Sequence, residues 1–281
     1  MRVFAISDLH VDYTQNRHWL DRISACPEDV LLLAGDISDQ LDRLKDALSC
    51  LTEKFARVFF VPGNHELWVR REKCADSLEK FTRILDLCAN LRIATRPKKI
   101  DTDICIVPLF SWYEKEGPES LCVPKIGEDP TLQIWSDHHF TRWPPLNTSI
   151  AQHFLNLNEP ISKRKETVIS FSHFLPRQEL IYKDGIIPDV IQPHPQDPHP
   201  TFNFSRVAGS KGLETQIRSL GSHIHFYGHQ HRNRHRTIDG ITYISFALGY
   251  RREQERGLTD PEKGPKQIWD TKRPGHSASW T

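Results

Sequence analysis

Val30-Leu31-Leu32-Leu33-Ala34-Gly35-Asp36 decides the fold: five apolar residues, then a glycine, then a carboxylate. An apolar run closed by a small residue reads as a buried strand, with the aspartate falling just past its carboxyl end. Working outward, the same phrase recurs four times. Val3 to Ser7 precedes Asp8, and Val58 to Pro62 with Gly63 precedes Asn64. Thr167 to Phe171 with Ser172 precedes His173, and Ile224 to Tyr227 with Gly228 precedes His229. The first three terminal residues stand 28 positions apart, at 8, 36 and 64, about the length of one strand, one helix and their connections. Side by side, such strands gather two aspartates, an asparagine and two histidines at one edge of a sheet. That is the donor set of a metal site.

Between the first strands lie polar segments with apolar residues at helical spacing, Leu41, Leu44, Leu48 and Leu51, then Leu78, Phe81, Leu85 and Cys88. Residues 1 to about 89 therefore read as βαβαβα, which favours strands sharing a direction and ligands in the crevice at their carboxyl ends. A further strand is expected over 101–110. From Phe110 to Lys165 the pattern gives way to aromatics, including Trp112, Tyr113, Trp135 and Trp143, and to turn formers. This stretch reads as an insertion or cap beside the ligand edge, or as the filling of a second small core. A second unit resumes with Thr167 to Phe171, a proline-rich loop at 188–200, a helix over about 206–220, and strands over 223–227, 235–239 and 241–247. Asp239-Gly240 joins the last two as a hairpin. The expected organisation is one metal-binding domain over 1–250, with the insertion at about 110–165. A charged tail over 251–281 is expected to wrap the surface or to be partly disordered.

With 38% hydrophobic and 26% charged residues in 281, this is an ordinary globular composition. Lys plus Arg is 37 against 36 for Asp plus Glu, so net charge points to neither nucleic acid nor a membrane. No run approaches the roughly 18 apolar residues of a membrane span, and a strand starting at Arg2 leaves no room for a signal peptide. A cytoplasmic location is expected. The six cysteines form no C-x-x-C pair and read as reduced, structural thiols.

In chain order the polar residues at the ligand edge are Asp8-x-His10, Gly35-Asp36-x-x-Asp39, Gly63-Asn64-His65-Glu66, Ser172-His173 and Gly228-His229-x-His231. Carboxylate, imidazole and amide oxygen suit Mn²⁺, Fe²⁺ or Zn²⁺. Seven candidate ligands (Asp8, His10, Asp36, Asn64, His173, His229 and His231) exceed what one tetrahedral ion needs and suit two ions sharing a carboxylate. Such a pair lowers the pKa of bound water and stabilises both oxygens of an in-line displacement at phosphorus.

These five blocks resemble the calcineurin-like metallophosphoesterase superfamily, whose pattern is D-x-H, G-D, G-N-H-[D/E], H and G-H-x-H. The resemblance spans Asp8 to His231. It implies an α/β fold, a four-layer α-β-β-α sandwich of two mixed sheets with the site at the carboxyl ends of the strands. It also implies a metal-dependent phosphate-ester hydrolase whose nucleophile is a hydroxide bound by two divalent ions, manganese first, with iron or zinc as alternatives. By resemblance, Asp8, His10, Asp36 and His231 hold one ion, and Asp36, Asn64, His173 and His229 the other, with Asp36 as the bridge. His65 corresponds to the histidine that faces the substrate, where it stabilises phosphate charge or protonates the leaving oxygen. Asp39 corresponds to the carboxylate that orients it.

In the protein phosphatase branch the second block continues G-D-x-x-D-R-G, and its arginine clamps the phosphate; here Gln40 and Leu41 follow Asp39. The chain is thus more similar to the phosphodiesterase, nucleotidase and nuclease branches. The expected substrate is a small-molecule or nucleotide phosphodiester. A phosphomonoester of a small metabolite is the alternative, and a non-catalytic metal-binding interaction module is the alternative of another class. Long nucleic acid is disfavoured because no basic, aromatic-interleaved stripe is evident. Of the remaining candidates, Glu66 reads as a support or helix-start residue, and Arg70 and Arg71 as a solvated helix start that could also reach a substrate anion. Trp112, Tyr113, Trp135 and Trp143 could stack on a planar group. His194 and His199 lie in a loop able to overhang the site, while His138, His139, His223 and His225 fall outside it.

Overall fold

In the computed structural model, which describes residues 1–158, 160–194 and 196–272, the three leading apolar runs become β1 (Arg2–Ile6), β2 (Cys26–Ala34) and β3 (Phe55–Val61). The three are parallel, with Ala5 opposite Leu32 and Leu32 opposite Phe59. Asp8, Asp36 and Asn64 consequently leave the sheet at one level. Between and after the strands run α1 (Thr14–Arg22), α2 (Leu41–Lys54) and α3 (Ser77–Asn90). Helix α2 buries Leu44, Leu48 and Leu51, the stripe that its spacing requires. Helix α3 begins where the Asp76 carboxylate accepts the Leu78 and Glu79 N–H groups, an N-cap.

The second sheet holds β4 (Lys98–Asp101), β5 (Ile104–Pro108), β6 (Thr167–Phe171), β7 (Ser222–Tyr227), β8 (Arg234–Ile238) and β9 (Ile241–Ser245), in the order β4-β5-β6-β7-β9-β8. The four inner strands are parallel and the two outer ones antiparallel. The single strand expected over 101–110 is instead the β4–β5 hairpin, which turns at Thr102-Asp103. Side chains alternate across this sheet, as the period of two demands. Ile106, Ile169 and Phe226 join Val3, Leu31 and Phe59 in the core between the sheets. Val107, Val168 and Tyr227 pack on the other side with Leu213 and Ile217 of a helix over residues 211–220. Helix, sheet, sheet, helix is the resulting stack, a four-layer sandwich of two mixed sheets.

Two segments differ from expectation. In the insertion, Trp112, Tyr113 and Phe154 sink into the central core against Phe81 and Phe174. Only the part around α4 (Ser136–Phe140) reaches the ligand edge; α5 (Ile150–Leu157) packs near α6 (Lys211–Leu220). The expected tail supplies α7 (Arg251–Glu255) and β10 (Lys266–Asp270), which pairs antiparallel with β1 as the edge strand of the first sheet. Ile268 is the one fully buried residue of β10, so no apolar periodicity announced the strand. Residues 273–281 of that tail lie outside the described residues. Among the described residues no helix is long and apolar enough to cross a membrane.

Candidate metal centre

The chain turns sharply after β1, β2 and β7. Asp8, His10, Asp36, His229 and His231 have φ of 54°, 43°, 57°, 71° and 51°, a left-handed conformation that costs non-glycine residues of the order of 1–3 kcal/mol each. Five of the eight described non-glycine residues in that region are candidate ligands. Two glycines allow the loops to close on one another. A Cβ on Gly63 would lie 2.2 Å from Asp36 Oδ1, and one on Gly35 would lie 2.6 Å from His173 Nδ1. The fully buried Glu66 carboxylate locks the second loop to the third. It accepts the N–H groups of Asp36 (2.8 Å), Ile37 (2.6 Å), Ser38 (3.0 Å) and Gly63 (2.7 Å). Burial pushes its pKa up and these four bonds oppose the rise.

All seven candidate ligands converge, in two groups that share Asp36. Carboxylate oxygens of Asp8 and Asp36 and ring nitrogens of His10 and His231 lie within 4.8 Å of one another, and the same holds for Asp36, His173 and His229. In the first group His231 Nε2 is 3.1 Å from both Asp8 Oδ1 and His10 Nε2. In the second, Asn64 Oδ1 is 3.1 Å from His173 Nε2 and from His229 Nδ1, and Asp36 Oδ1 is 3.5 Å from His173 Nε2.

The outer hydrogen bonds fix which atoms carry protons. His173 Nδ1 faces the Ala34 carbonyl at 2.8 Å, His229 Nε2 the Val207 carbonyl at 2.9 Å, and His231 Nδ1 the Glu253 carboxylate at 2.7 Å. Those partners only accept, so each of these nitrogens donates, and the opposite nitrogens of His173 and His229, which burial holds below the ordinary imidazole value, turn lone pairs inward. Against the opposing effect of burial, the Asp8 and Glu253 carboxylates push His231 up to about 10, so its Nε2 carries a proton toward Asp8. The Asn64 amide is set likewise, because Nδ2 donates to Asp137 Oδ1 at 2.9 Å and leaves Oδ1 facing the histidines. In the second group lone pairs thus meet lone pairs in a buried space, which suits a cation; in the first, the proton on His231 Nε2 stands where a cation would. The charges agree with this. Loss of hydration, with Glu66 and Asp8 nearby, pushes Asp36 well above the ordinary carboxylate range. Burial likewise holds His10 and His229 well below the ordinary imidazole value, hence neutral. Divalent ions would reverse the first shift and use the second.

His65 sits beside both groups, its Nε2 at 3.8 Å from Asp36 Oδ2 and 3.4 Å from the Tyr250 hydroxyl, its ring stacked on Trp68 with centroids 3.7 Å apart. Burial and the neighbouring histidines keep it neutral. Asp39 does not touch it: the Asp39 carboxylate pairs with Arg70 Nε at 2.7 Å and Arg71 Nη1 at 3.3 Å. Arg70 in turn lies over the Trp68 ring, 4.9 Å from its centroid.

Three residues that sequence reasoning passed over complete the site. Asp137, from the insertion, accepts from Asn64, from Trp68 Nε1 at 2.7 Å and from Trp135 Nε1 at 2.8 Å. Tyr250 stacks on His10 at 4.3 Å, and Glu253 receives both His231 and the Tyr250 N–H. His138 and His139 flank Asp137 but lie outside the site, and His225 is buried away from it between the Ser170 and Ser172 hydroxyls. Two cavities open from the centre and share His65, Trp68, Ser136 and Tyr250. One, of about 390 Å³, is walled by Ile134, Trp135, Phe202 and Phe204, with His199 of the proline-rich loop at its side. The other, of about 500 Å³, is polar and carries three arginines.

A profile of the calcineurin-like phosphoesterase family matches residues 1–233. The [acyl-carrier-protein] phosphodiesterase PptH of Mycobacterium tuberculosis (strain ATCC 25618 / H37Rv) is 26% identical, over 95% of this chain and 86% of that protein. The crystal structure of the phosphopantetheinyl hydrolase PptH from Mycobacterium tuberculosis superimposes with a TM-score of 0.75 at 21% identity, covering 98% of each chain.

Proposed function

The chain belongs to the calcineurin-like phosphoesterase family, and from that premise we propose that it is a metal-dependent phosphodiesterase whose substrate carries a slender uncharged chain on one phosphate oxygen, as a phosphopantetheinylated carrier protein does. The observation that carries the diester is the pair of cavities meeting at His65, Trp68 and Tyr250, one for each substituent on phosphorus. A monoesterase would instead close cationic groups around a terminal phosphate. Similarity to PptH along nearly the whole chain supports the carrier-protein substrate. The aromatic wall of Trp135 and Phe202, stacked at 5.2 Å, favours a second reading, a small nucleotide diester with its base against that wall.

In this reading Asp8, His10, Asp36 and His231 hold one divalent ion, and Asp36, Asn64, His173 and His229 the other, with manganese as the ion proposed. Ions held there would acidify a water as nucleophile and stabilise the charge of an in-line displacement. Asp36 presents an oxygen to each group. The neutral His65 donates an N–H to a phosphoryl or leaving oxygen, and the stack of Trp68 fixes its ring. Asp39 acts on His65 at one remove, by holding Arg70 over Trp68. A reducing, cytoplasmic setting belongs to the same reading and is consistent with free thiols at Cys26, Cys50, Cys74, Cys88 and Cys122.

The test is to load the protein with Mn²⁺, mix it with a phosphopantetheinylated carrier protein, and follow the carrier by mass spectrometry. Loss of the phosphopantetheinyl mass supports the proposal. Faster hydrolysis of 4-nitrophenyl phosphate than of any diester would move the assignment to a monoesterase, and no turnover with two ions bound would move it to an interaction module.

A further inference from the structure

The two cavities differ in charge. Around the polar one, Arg43, Arg70 and Arg71 stand against Asp12 and Asp39. The Asp39 carboxylate is only 2% exposed, and both of its oxygens go to arginines. A solvated helix start does not explain a buried acid given over to two guanidinium groups. Anchoring does: Arg70 is fixed at Nε by Asp39 and held over the rings of Trp68 and Phe140, 4.9 and 4.2 Å from their centroids. Among the described residues Asp39 is its sole hydrogen-bond partner, so Nη1 and Nη2 remain available on the cavity wall. Arg43, from the first turn of α2, is tethered to the Asp12 carbonyl at 3.1 Å and is half exposed. An arginine whose stem is already immobilised loses little entropy when its fork meets an oxyanion.

We propose that this cavity is a subsite for an anionic substituent on the second ester oxygen of the diester, while the aromatic cavity takes the uncharged one. The proposal rests on the phosphodiesterase reading above. The recognised chemistry is an oxyanion a few bonds from phosphorus, supplied either by acidic residues flanking an esterified serine or by a small acidic alcohol. Arg43, Arg70 and Arg71 are then specificity residues, with Asp39 as the positioning residue of Arg70 and Arg71 and Asp12 as that of Arg43.

Four Mn²⁺-dependent substrates test it. Two are serine 4-nitrophenyl phosphodiesters, in a peptide flanked by aspartate and glutamate and in its asparagine and glutamine counterpart. The third is a 4-nitrophenyl diester of glycolate, and the fourth bis(4-nitrophenyl) phosphate. The wild-type protein should prefer the acidic peptide over the neutral one by about tenfold in kcat/KM at low salt, mostly through KM, with the preference falling as salt rises. Arg71→Gln and Arg43→Gln should bring that ratio near one, and because both peptides report on the same folded protein, partial unfolding cannot mimic the change. An arginine-dependent preference for the glycolate diester without one for the acidic peptide would assign the subsite to small acidic alcohols. Equal kcat/KM for all charge types in the wild type, or a preference that survives both substitutions, would overturn the subsite while leaving the phosphodiesterase reading intact. If no diester is hydrolysed although two ions are bound, that reading fails. Calorimetric binding of the ester-free acidic peptide, weakened about tenfold by Arg71→Gln or left unchanged, then decides the subsite by itself.

Discussion

Replacing Glu253 by alanine should weaken one of the two bound ions and spare the other. Glu253 Oε2 receives His231 Nδ1 at 2.7 Å and the Tyr250 N–H at 2.8 Å, and this carboxylate is what points His231 Nε2 at Asp8 and His10. Loss of such an outer partner lowers metal affinity by about 10–100-fold, or about 1.4–2.7 kcal/mol. The effect should be one-sided. His231 lies with Asp8, His10 and Asp36, whereas the second group relies on the carbonyls of Ala34 and Val207 and on Asp137. Glu253→Gln keeps an acceptor oxygen without the charge and should fall between wild type and alanine. Titration of metal-free protein with Mn²⁺ against a chelating dye resolves the two steps, and circular dichroism controls for loss of the α7 cap. Two unchanged affinities in Glu253→Ala would refute the role assigned to this carboxylate, and equal weakening of both would show that residues 250–272 act through the fold instead.

Three further expectations concern residues with separate duties. His65→Ala should retain both ions yet lower kcat by about 10² or more, and an unchanged rate would remove this imidazole from the reaction. Glu66→Gln sets an amide nitrogen against buried N–H groups that now bond to a carboxylate, so urea unfolding should show a loss of about 2–4 kcal/mol; a change below about 0.5 kcal/mol would mean that the loops do not need the clamp. Burial pushes His225 down to about 3, while the unfolded chain titrates near 6.5. The unfolded state therefore binds the extra proton between those values, so the contribution is complete above about pH 6.5 and is lost toward pH 3 at about 1.4 kcal/mol per unit. His225→Gln should flatten the pH slope of stability by that amount between about pH 6 and about pH 5, and an identical slope would count against a buried neutral His225.

The ligand geometry was legible because strand, turn and ligand are contiguous in sequence: once β1, β2, β3, β6 and β7 form, Asp8, Asp36, Asn64, His173 and His229 have no other place to go. Their supports come from elsewhere. Asp137 lies in an aromatic stretch without period, Tyr250 is the last residue before the charged segment that resembles a tail, and Glu253 lies within it, so nothing local marks them. The contact expected of Asp39 with His65 is replaced by a chain through Arg70 and Trp68, since that pairing depends on where the segment after the third strand folds back. The β4–β5 hairpin was missed for a similar reason. Its apolar run fills β5, while β4 buries only Ile100.

Anomalous diffraction from crystals soaked in Mn²⁺ tests the centre most directly. The arrangement predicts two peaks about 3.5–4 Å apart, one on each side of the Asp36 carboxylate, the first against Asp8, His10 and His231 and the second against Asn64, His173 and His229. A single peak, or two peaks that do not share Asp36, would contradict it.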